Sequence, residues 1–132
     1  MTSALKATLI GLTLAIAGIG AADAQAAAAG GNVARGGTLF KQRCGVCHSL
    51  VADTGPRPGP TMQRLSGRKA GSVPNFKYSP ALKGSNIVWT RPKLDQFLQA
   101  PAKVVPGTFM MVAVANPTDR ADIVAYLDTL KR

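Results

Sequence analysis

Cysteine and histidine are both scarce in this sequence. Its 132 residues include 2 Cys and 1 His. The two cysteines, Cys44 and Cys47, share one short motif, so no cysteine is left for a structural disulfide elsewhere. A four-ligand zinc site would need carboxylates to complete it. Only 6 Asp and Glu residues are present, which makes such a site unfavourable.

Acidic residues are few, and the chain is therefore strongly basic. It carries 16 Lys and Arg and a formal net charge of +10. A field of this kind steers a protein toward acidic partners. Nucleic acid also attracts basic chains, but aromatic residues are only 5% of this one and the chain is expected to be exported. We therefore expect protein partners and no nucleic acid.

Long hydrophobic runs are absent apart from one near the start, over residues 9–22. It follows Lys6, and Ala22-Asp23-Ala24 and Ala24-Gln25-Ala26 fit a signal cleavage pattern. The run is short for a bilayer span, which needs roughly 20 residues. Residues 1–26 are predicted to be a cleaved secretory signal, with an uncleaved anchor as the alternative. Either places the protein outside the cytoplasm, in a bacterial periplasm.

The remaining chain has the length of one small domain. Residues 27–31 are predicted to be a flexible mature N-terminus, and 32–132 the folded domain. Helical patterns cover 33–43, one or two turns within 74–87, 91–99, and a last helix from an N-cap at Thr118 to residue 132. Segments 49–73 and 104–115 read as loops. No hairpin or repeat signal occurs, so an all-α domain with long loops is predicted.

The motif Cys44-Gly45-Val46-Cys47-His48 carries the chemistry. C-x-x-C-H is the pattern of c-type haem attachment. Two thiols on one helical turn can form thioethers with both vinyl groups of a haem, and His48 can offer a ring nitrogen to the iron. A dithiol redox centre and half of a zinc site are the alternatives. A thioredoxin-like site would need a strand–helix alternation that the sequence lacks.

The chain resembles the class I cytochromes c over almost its whole mature length, especially the mitochondrial-type and bacterial cytochrome c2 branch. The resembling segments are Gly31-Asn32-Val33, Gly67-Arg68-Lys69-Ala70-Gly71, Asn75-Phe76-Lys77-Tyr78-Ser79, Pro106-Gly107-Thr108-Phe109-Met110 and Asp122-Ile123-Val124-Ala125-Tyr126-Leu127. The resemblance implies an all-α class I cytochrome c fold, with short helices and long loops wrapped round one haem c. The haem would be attached through Cys44 and Cys47.

The resemblance also assigns Met110 as the sixth iron ligand, opposite His48. A thioether is soft and neutral, and His/Met ligation raises the haem potential. Met111 is the competitor, and Met62 is expected to fill the core. With both axial sites occupied, the iron has no room for oxygen or substrate, which suits electron transfer.

Further roles are implied by the resemblance. The carbonyl of Pro60 would accept the ring N–H of His48. Tyr78 and Trp89 would donate hydrogen bonds to a haem propionate, and Arg68 would offset its charge. Thr108 would tie the propionates to the methionine loop. Gly36 and Phe40 would meet Tyr126 where the N- and C-terminal helices contact each other.

Two positions depart from the family pattern. Phe97 stands where the family often has a tyrosine near the methionine sulfur, and Leu82 where it commonly has an asparagine in the haem pocket. Both changes remove hydrogen-bonding groups. We expect a drier pocket, an altered buried-water network and a reduction potential that differs from the usual family value.

The sequence therefore predicts a periplasmic, monomeric, monohaem one-electron carrier cycling between Fe(III) and Fe(II), not an enzyme. The resemblance implies redox partners with acidic docking faces: a bc1 complex as donor and a terminal oxidase, reaction centre or periplasmic reductase as acceptor. The candidate docking lysines are Lys41, Lys69, Lys77 and Lys103. A haem peroxidase or ligand sensor with an open iron site is the rival, as is a haem subunit of a dehydrogenase complex.

Overall fold

The computed structural model describes residues 30–52 and 55–130. The expected signal segment, 1–26, lies outside these residues. Five helices lie wholly within them: α1 Val33–Arg43, α2 Pro80–Gly84, α3 Arg91–Gln99, α4 Pro101–Val104 and α5 Pro117–Asp128. The described chain has no strand, only an isolated antiparallel bridge between Lys69 and Val88. The predicted all-α class is confirmed.

Among the described helices, none has the length and apolar character needed to cross a membrane.

The start of α5 differs from the prediction. Thr118 was expected as the N-cap, but the cap is Asn116, whose side chain accepts the backbone N–H groups of Thr118 and Asp119. Pro117 then takes a first-turn position, where its missing N–H costs nothing. The helix ends at Asp128. Both Asn and Thr are good caps, and the side-chain oxygen of Asn116, two residues before Thr118, satisfies two orphan donors.

Helices α1 and α5 cross in close contact. A Cβ on Gly36 would lie 2.0 Å from the carbonyl oxygen of Asp122, so only glycine lets the two backbones approach this far. One turn further along α1, the rings of Phe40 and Tyr126 have centroids 5.9 Å apart. These contacts confirm the expected meeting of Gly36 and Phe40 with the C-terminal helix at Tyr126.

Ion pairs also stabilise the crossing of α1 and α5. Arg35 on α1 pairs with both Asp119 and Asp122 on α5. The backbone N–H of Asn32 also donates to Asp122 at 2.6 Å, and Arg43 lies 3.3 Å from Asp119. Asp122 is only 2% exposed. A buried carboxylate is costly unless it is paired, and Arg35 and the backbone N–H of Asn32 supply that pairing.

The packed domain extends back to Gly30, into the segment predicted to be a flexible terminus. A Cβ on Gly31 would lie 2.3 Å from the carbonyl oxygen of Ala121, and the φ of Gly31 is +78°. Arg91 donates a hydrogen bond to the carbonyl of Gly30. Gly30 and Gly31 therefore contact α3 and α5 instead of preceding the fold.

The loop between α1 and α2 runs against the segment before α3. Trp89 donates its backbone N–H to the carbonyl of Arg68 at 2.9 Å, and Ala70 donates to Ile87 at 2.8 Å. These bonds hold Trp89, which is 7% exposed, in the core. The core side chains border one internal cavity: Phe40, Met62, Leu65, Trp89, Leu94, Phe97, Leu98, Val114, Ile123 and Leu127.

Candidate functional site

A cavity of about 350 Å³ lies at the centre of the described domain, within the ~300–1,000 Å³ range of cofactor sites. The structure brings every site residue predicted from the sequence to its wall: Cys44, Cys47, His48, Pro60, Arg68, Tyr78, Trp89, Thr108 and Met110. These residues come from the motif turn, the loop between α1 and α2, the segment before α3 and the segment after α4. The cavity is therefore the single candidate site among the described residues.

The cysteine motif forms a turn directly after α1. Cys44 caps the helix and donates its backbone N–H to the carbonyl of Phe40 at 2.8 Å. Its own carbonyl accepts from Cys47 at 3.0 Å and from His48 at 2.9 Å. Both thiols are free and half-buried, and burial raises the pKa of the Cys44 thiol. This compact turn presents both sulfur atoms and the imidazole to one cavity.

His48 has a defined tautomer. Its Nδ1 lies 2.8 Å from the carbonyl oxygen of Pro60, and since a carbonyl can only accept, Nδ1 carries the proton. Burial lowers the pKa of the ring, with the Pro60 hydrogen bond opposing that shift. A neutral imidazole with Nε2 unprotonated is the form that ligates metals.

Gly59 is a site residue that the sequence interpretation missed. A Cβ at this position would lie 2.4 Å from Cε1 of His48 and 2.5 Å from Nδ1. The Gly59 backbone N–H also donates to the carbonyl of Cys47 at 3.0 Å. A glycine between two prolines predicts a turn, but nothing in that local pattern indicates the ring lying against it.

The segment after α4 places Met110 in the cavity wall. Exposure alternates along it: Thr108 is buried, Phe109 is 69% exposed, Met110 is half-buried and Met111 is 79% exposed. The Thr108 hydroxyl accepts the backbone N–H of Met110 at 3.3 Å. Met111 reaches the rim of the same cavity, but its exposure leaves Met110 as the inward methionine.

Three donors form a polar part of the wall. Arg68 is half-buried and donates to the carbonyls of Gln63 at 2.6 Å and Thr61 at 2.8 Å. Burial lowers its pKa, and no carboxylate within residues 30–52 and 55–130 pairs with it. Tyr78 and Trp89 line the same cavity.

The Tyr78 hydroxyl accepts the backbone N–H of Val73 at 3.3 Å, which leaves its proton available for another acceptor. Burial raises the pKa of this phenol, so it stays a donor. An arginine without a carboxylate, a phenol and an indole fit an anionic ligand group. With the thiols and imidazole on the same cavity, the residues fit a haem with propionates.

The two departures from the family pattern both lie on the cavity. Phe97 is 5% exposed, with its ring centroid 5.0 Å from that of Trp89. Leu82 is half-buried and borders the same space. Neither side chain can donate a hydrogen bond, so this part of the wall is apolar.

Of the four candidate docking lysines, only Lys77 lines the cavity, together with the exposed Arg43. Lys41, Lys69 and Lys103 are exposed elsewhere. In the part of the chain that the structure describes, no group of three His, Cys, Asp or Glu side chains is arranged to hold a metal ion.

Comparison with known proteins identifies the family. The family model described as cytochrome c matches residues 33–131. The chain is 41% identical to a cytochrome c2 of Rhodomicrobium vannielii over 127 residues, covering 96% of this chain and 95% of that protein. It is 41% identical to a cytochrome c of Gibberella zeae, over 75% of this chain and 94% of that one.

A cytochrome c of Euglena viridis is 43% identical over 102 residues, which is 76% of this chain and 99% of that protein. The fold, the cavity and the two cysteines agree with these matches. The chain therefore belongs to the cytochrome c family, as an electron carrier with one covalently bound haem c and not an enzyme.

Proposed function

We propose that the protein is a periplasmic one-electron carrier whose iron is ligated by Nε2 of His48 and the sulfur of Met110. The observation that carries this proposal is the common cavity, which both side chains border together with the Cys44 and Cys47 thiols. The haem supplies the Fe(III)/Fe(II) couple. His48 and Met110 would together hold the iron, and a site filled by two side chains would leave no room for oxygen or substrates.

The other predicted site residues also have tasks in this proposal. Pro60 holds the His48 tautomer, so that Nε2 keeps its lone pair for the metal. Thr108 fixes the backbone of Met110. Arg68, Tyr78 and Trp89 hold the propionates. Because Arg68 has no carboxylate partner among the described residues, its charge would be balanced by the ligand.

Export is part of the proposal. Residues 1–26 have the charge, the apolar stretch and the small residues of a cleaved signal. The match to the cytochrome c2 covers 96% of this chain, and so must extend well into the residues before Gly30. That relative therefore has a counterpart of this N-terminal segment. Gly30 would then lie close to the start of the mature protein.

The proposed partners are redox proteins with acidic docking faces. A bc1 complex would donate the electron, and a terminal oxidase, reaction centre or periplasmic reductase would accept it. The net charge of +10 supports electrostatic steering. Contacts of this kind are small and transient, in keeping with a carrier that acts as a monomer.

Expression in a bacterium that matures c-type cytochromes tests the proposal. We expect the haem protein in the periplasmic fraction, with a mature mass set by cleavage near residue 26. The reduced protein should be oxidised by membranes containing a terminal oxidase, and the oxidised protein reduced by a bc1 complex with quinol. A cytoplasmic, unprocessed product, or failure to exchange electrons with either complex, would contradict it. Cys44→Ser with Cys47→Ser is the control that should lose covalent haem.

A further inference from the structure

Arg120 is a buried cation to which the proposed function gives no task. It is 6% exposed. Its Nε donates to Asp95 at 2.8 Å, and its Nη1 donates to the carbonyls of Ala115 at 2.8 Å and Val114 at 3.1 Å. A buried charge is costly unless it is paired and hydrogen-bonded. The question is what this compensated charge holds in place.

The three bonds join three parts of the chain. Arg120 lies on α5 and Asp95 on α3. Val114 and Ala115 end the segment that carries Met110. Val114 is also 1% exposed, and its backbone N–H donates to the carbonyl of Leu98 on α3 at 2.8 Å. The end of the methionine segment is therefore fixed to two helices, partly through one guanidinium.

The other end of this segment is anchored separately. The Thr108 backbone N–H donates to Val105 at 3.0 Å, and Val105 donates to Pro101 on α4 at 2.8 Å. Between the two anchors, the structure records no hydrogen bond to the backbone of residues 111–113 in the described chain, and these residues are exposed. The position of Met110 therefore depends on the anchors at 108 and 114–115.

We propose that Arg120 is a positioning residue that holds Met110 in the cavity by clamping the carbonyls of Val114 and Ala115. The inference rests on the proposed ligation by Met110. Opening of the segment would withdraw the thioether and let an external ligand in. These hydrogen bonds make the opened state rare. Asp95 orients the guanidinium so that it can reach the two carbonyls.

A role in holding Met110 and a role only in joining helices predict different measurements. If Arg120 only joined α3 to α5, its loss would lower global stability and leave local opening of the methionine segment unchanged. Arg35 offers a matched control, because it also joins another helix to α5, through Asp119 and Asp122, without contacting the methionine segment. Arg35→Gln should lower global stability alone.

The test is a titration of the oxidised holoprotein with imidazole, following loss of the far-red sulfur-to-iron band. The apparent affinity of an external ligand scales with the population of the opened state. Losing hydrogen bonds from a charged group should therefore tighten imidazole binding about 10- to 100-fold in Arg120→Gln. Arg120→Lys keeps the charge without the forked geometry of the guanidinium. It should not restore the wild-type imidazole affinity.

Asp95→Asn keeps the guanidinium of Arg120 and should tighten imidazole binding by a smaller factor than Arg120→Gln does. It carries the test if both Arg120 variants fail to fold. Imidazole affinity equal to wild type in Asp95→Asn and in any folded Arg120 variant would overturn the clamp, as would an equal shift in Arg35→Gln. A wild-type protein without the sulfur band would instead refute Met110 ligation, and the clamp with it.

Discussion

The His48 ring lies directly against the backbone of Gly59, so that a Cβ on Gly59 would stand 2.4 Å from Cε1. The next residue, Pro60, accepts the Nδ1 proton at 2.8 Å. One short stretch of loop therefore limits where the imidazole can lie and fixes which nitrogen is free. The orientation of the proposed iron ligand is set by backbone atoms, which a change of rotamer cannot move.

Gly59→Ala should disrupt this arrangement. The methyl group cannot fit without displacing the imidazole or the loop, so we expect a poor yield of holoprotein or loss of the low-spin spectrum. Gly84→Ala is the matched control, since nothing lies within 4 Å of a Cβ there. The optical spectrum and covalent haem content of both variants provide the measurement. A Gly59→Ala protein with wild-type spectrum and yield would show that the ring is not confined by this loop.

Gly36→Ala should destabilise the crossing of α1 and α5. A Cβ there would lie 2.0 Å from the Asp122 carbonyl, and because its neighbour is backbone, the helices must separate. Overpacking of this kind costs about 1–3 kcal/mol or more. Denaturant unfolding should show the loss in Gly36→Ala and almost none in Gly84→Ala. Equal stability of the two variants would contradict the close approach of the helices.

Phe97→Tyr should raise the reduction potential. Phe97 borders the same cavity as Met110, and a hydroxyl donating to the thioether sulfur would withdraw electron density and disfavour Fe(III). Phe97→Leu, which adds no donor, is the control. Potentiometric titration provides the measurement. Unchanged potential and unchanged stability of the methionine segment in Phe97→Tyr would mean that this position does not reach the sulfur.

Lys77 and Arg43 should govern association with an acidic partner more than other surface cations do. Both line the cavity that would hold the haem. Charge reversal, Lys77→Glu with Arg43→Glu, should slow electron exchange with a bc1 complex and weaken its dependence on salt. Lys93→Glu is the control, because Lys93 is exposed on α3 and away from the cavity. A wild-type rate that does not change with salt would remove the electrostatic docking account.

Much of this architecture follows from local sequence. The predicted bounds 33–43 and 91–99 match α1 and α3, because their caps Asn32 and Thr90 lie immediately before each helix. The cysteine motif is also local. The family resemblance adds the residues of the distant loops, and the structure brings them to one cavity.

What the sequence could not show depends on partners far along the chain. The local sequence around Asp122 does not indicate burial, but this carboxylate is buried against Arg35, 87 residues away. Arg120 was given no role, because a lone arginine on a helix face is ordinarily solvated. Gly59 contacts His48 only because of the path of the loop between them. The contacts of these three residues are set by tertiary packing, which a local sequence pattern does not reveal.

The most direct test of the account is the absorption spectrum of the oxidised protein for wild type, Met110→Ala and Met111→Ala. Wild type and Met111→Ala should be low-spin with the far-red sulfur-to-iron band, because Met111 is 79% exposed and reaches only the rim of the cavity. Met110→Ala should lose the band and bind carbon monoxide readily when reduced. A wild-type protein that is high-spin, or a band that survives in Met110→Ala, would contradict a carrier ligated by His48 and Met110.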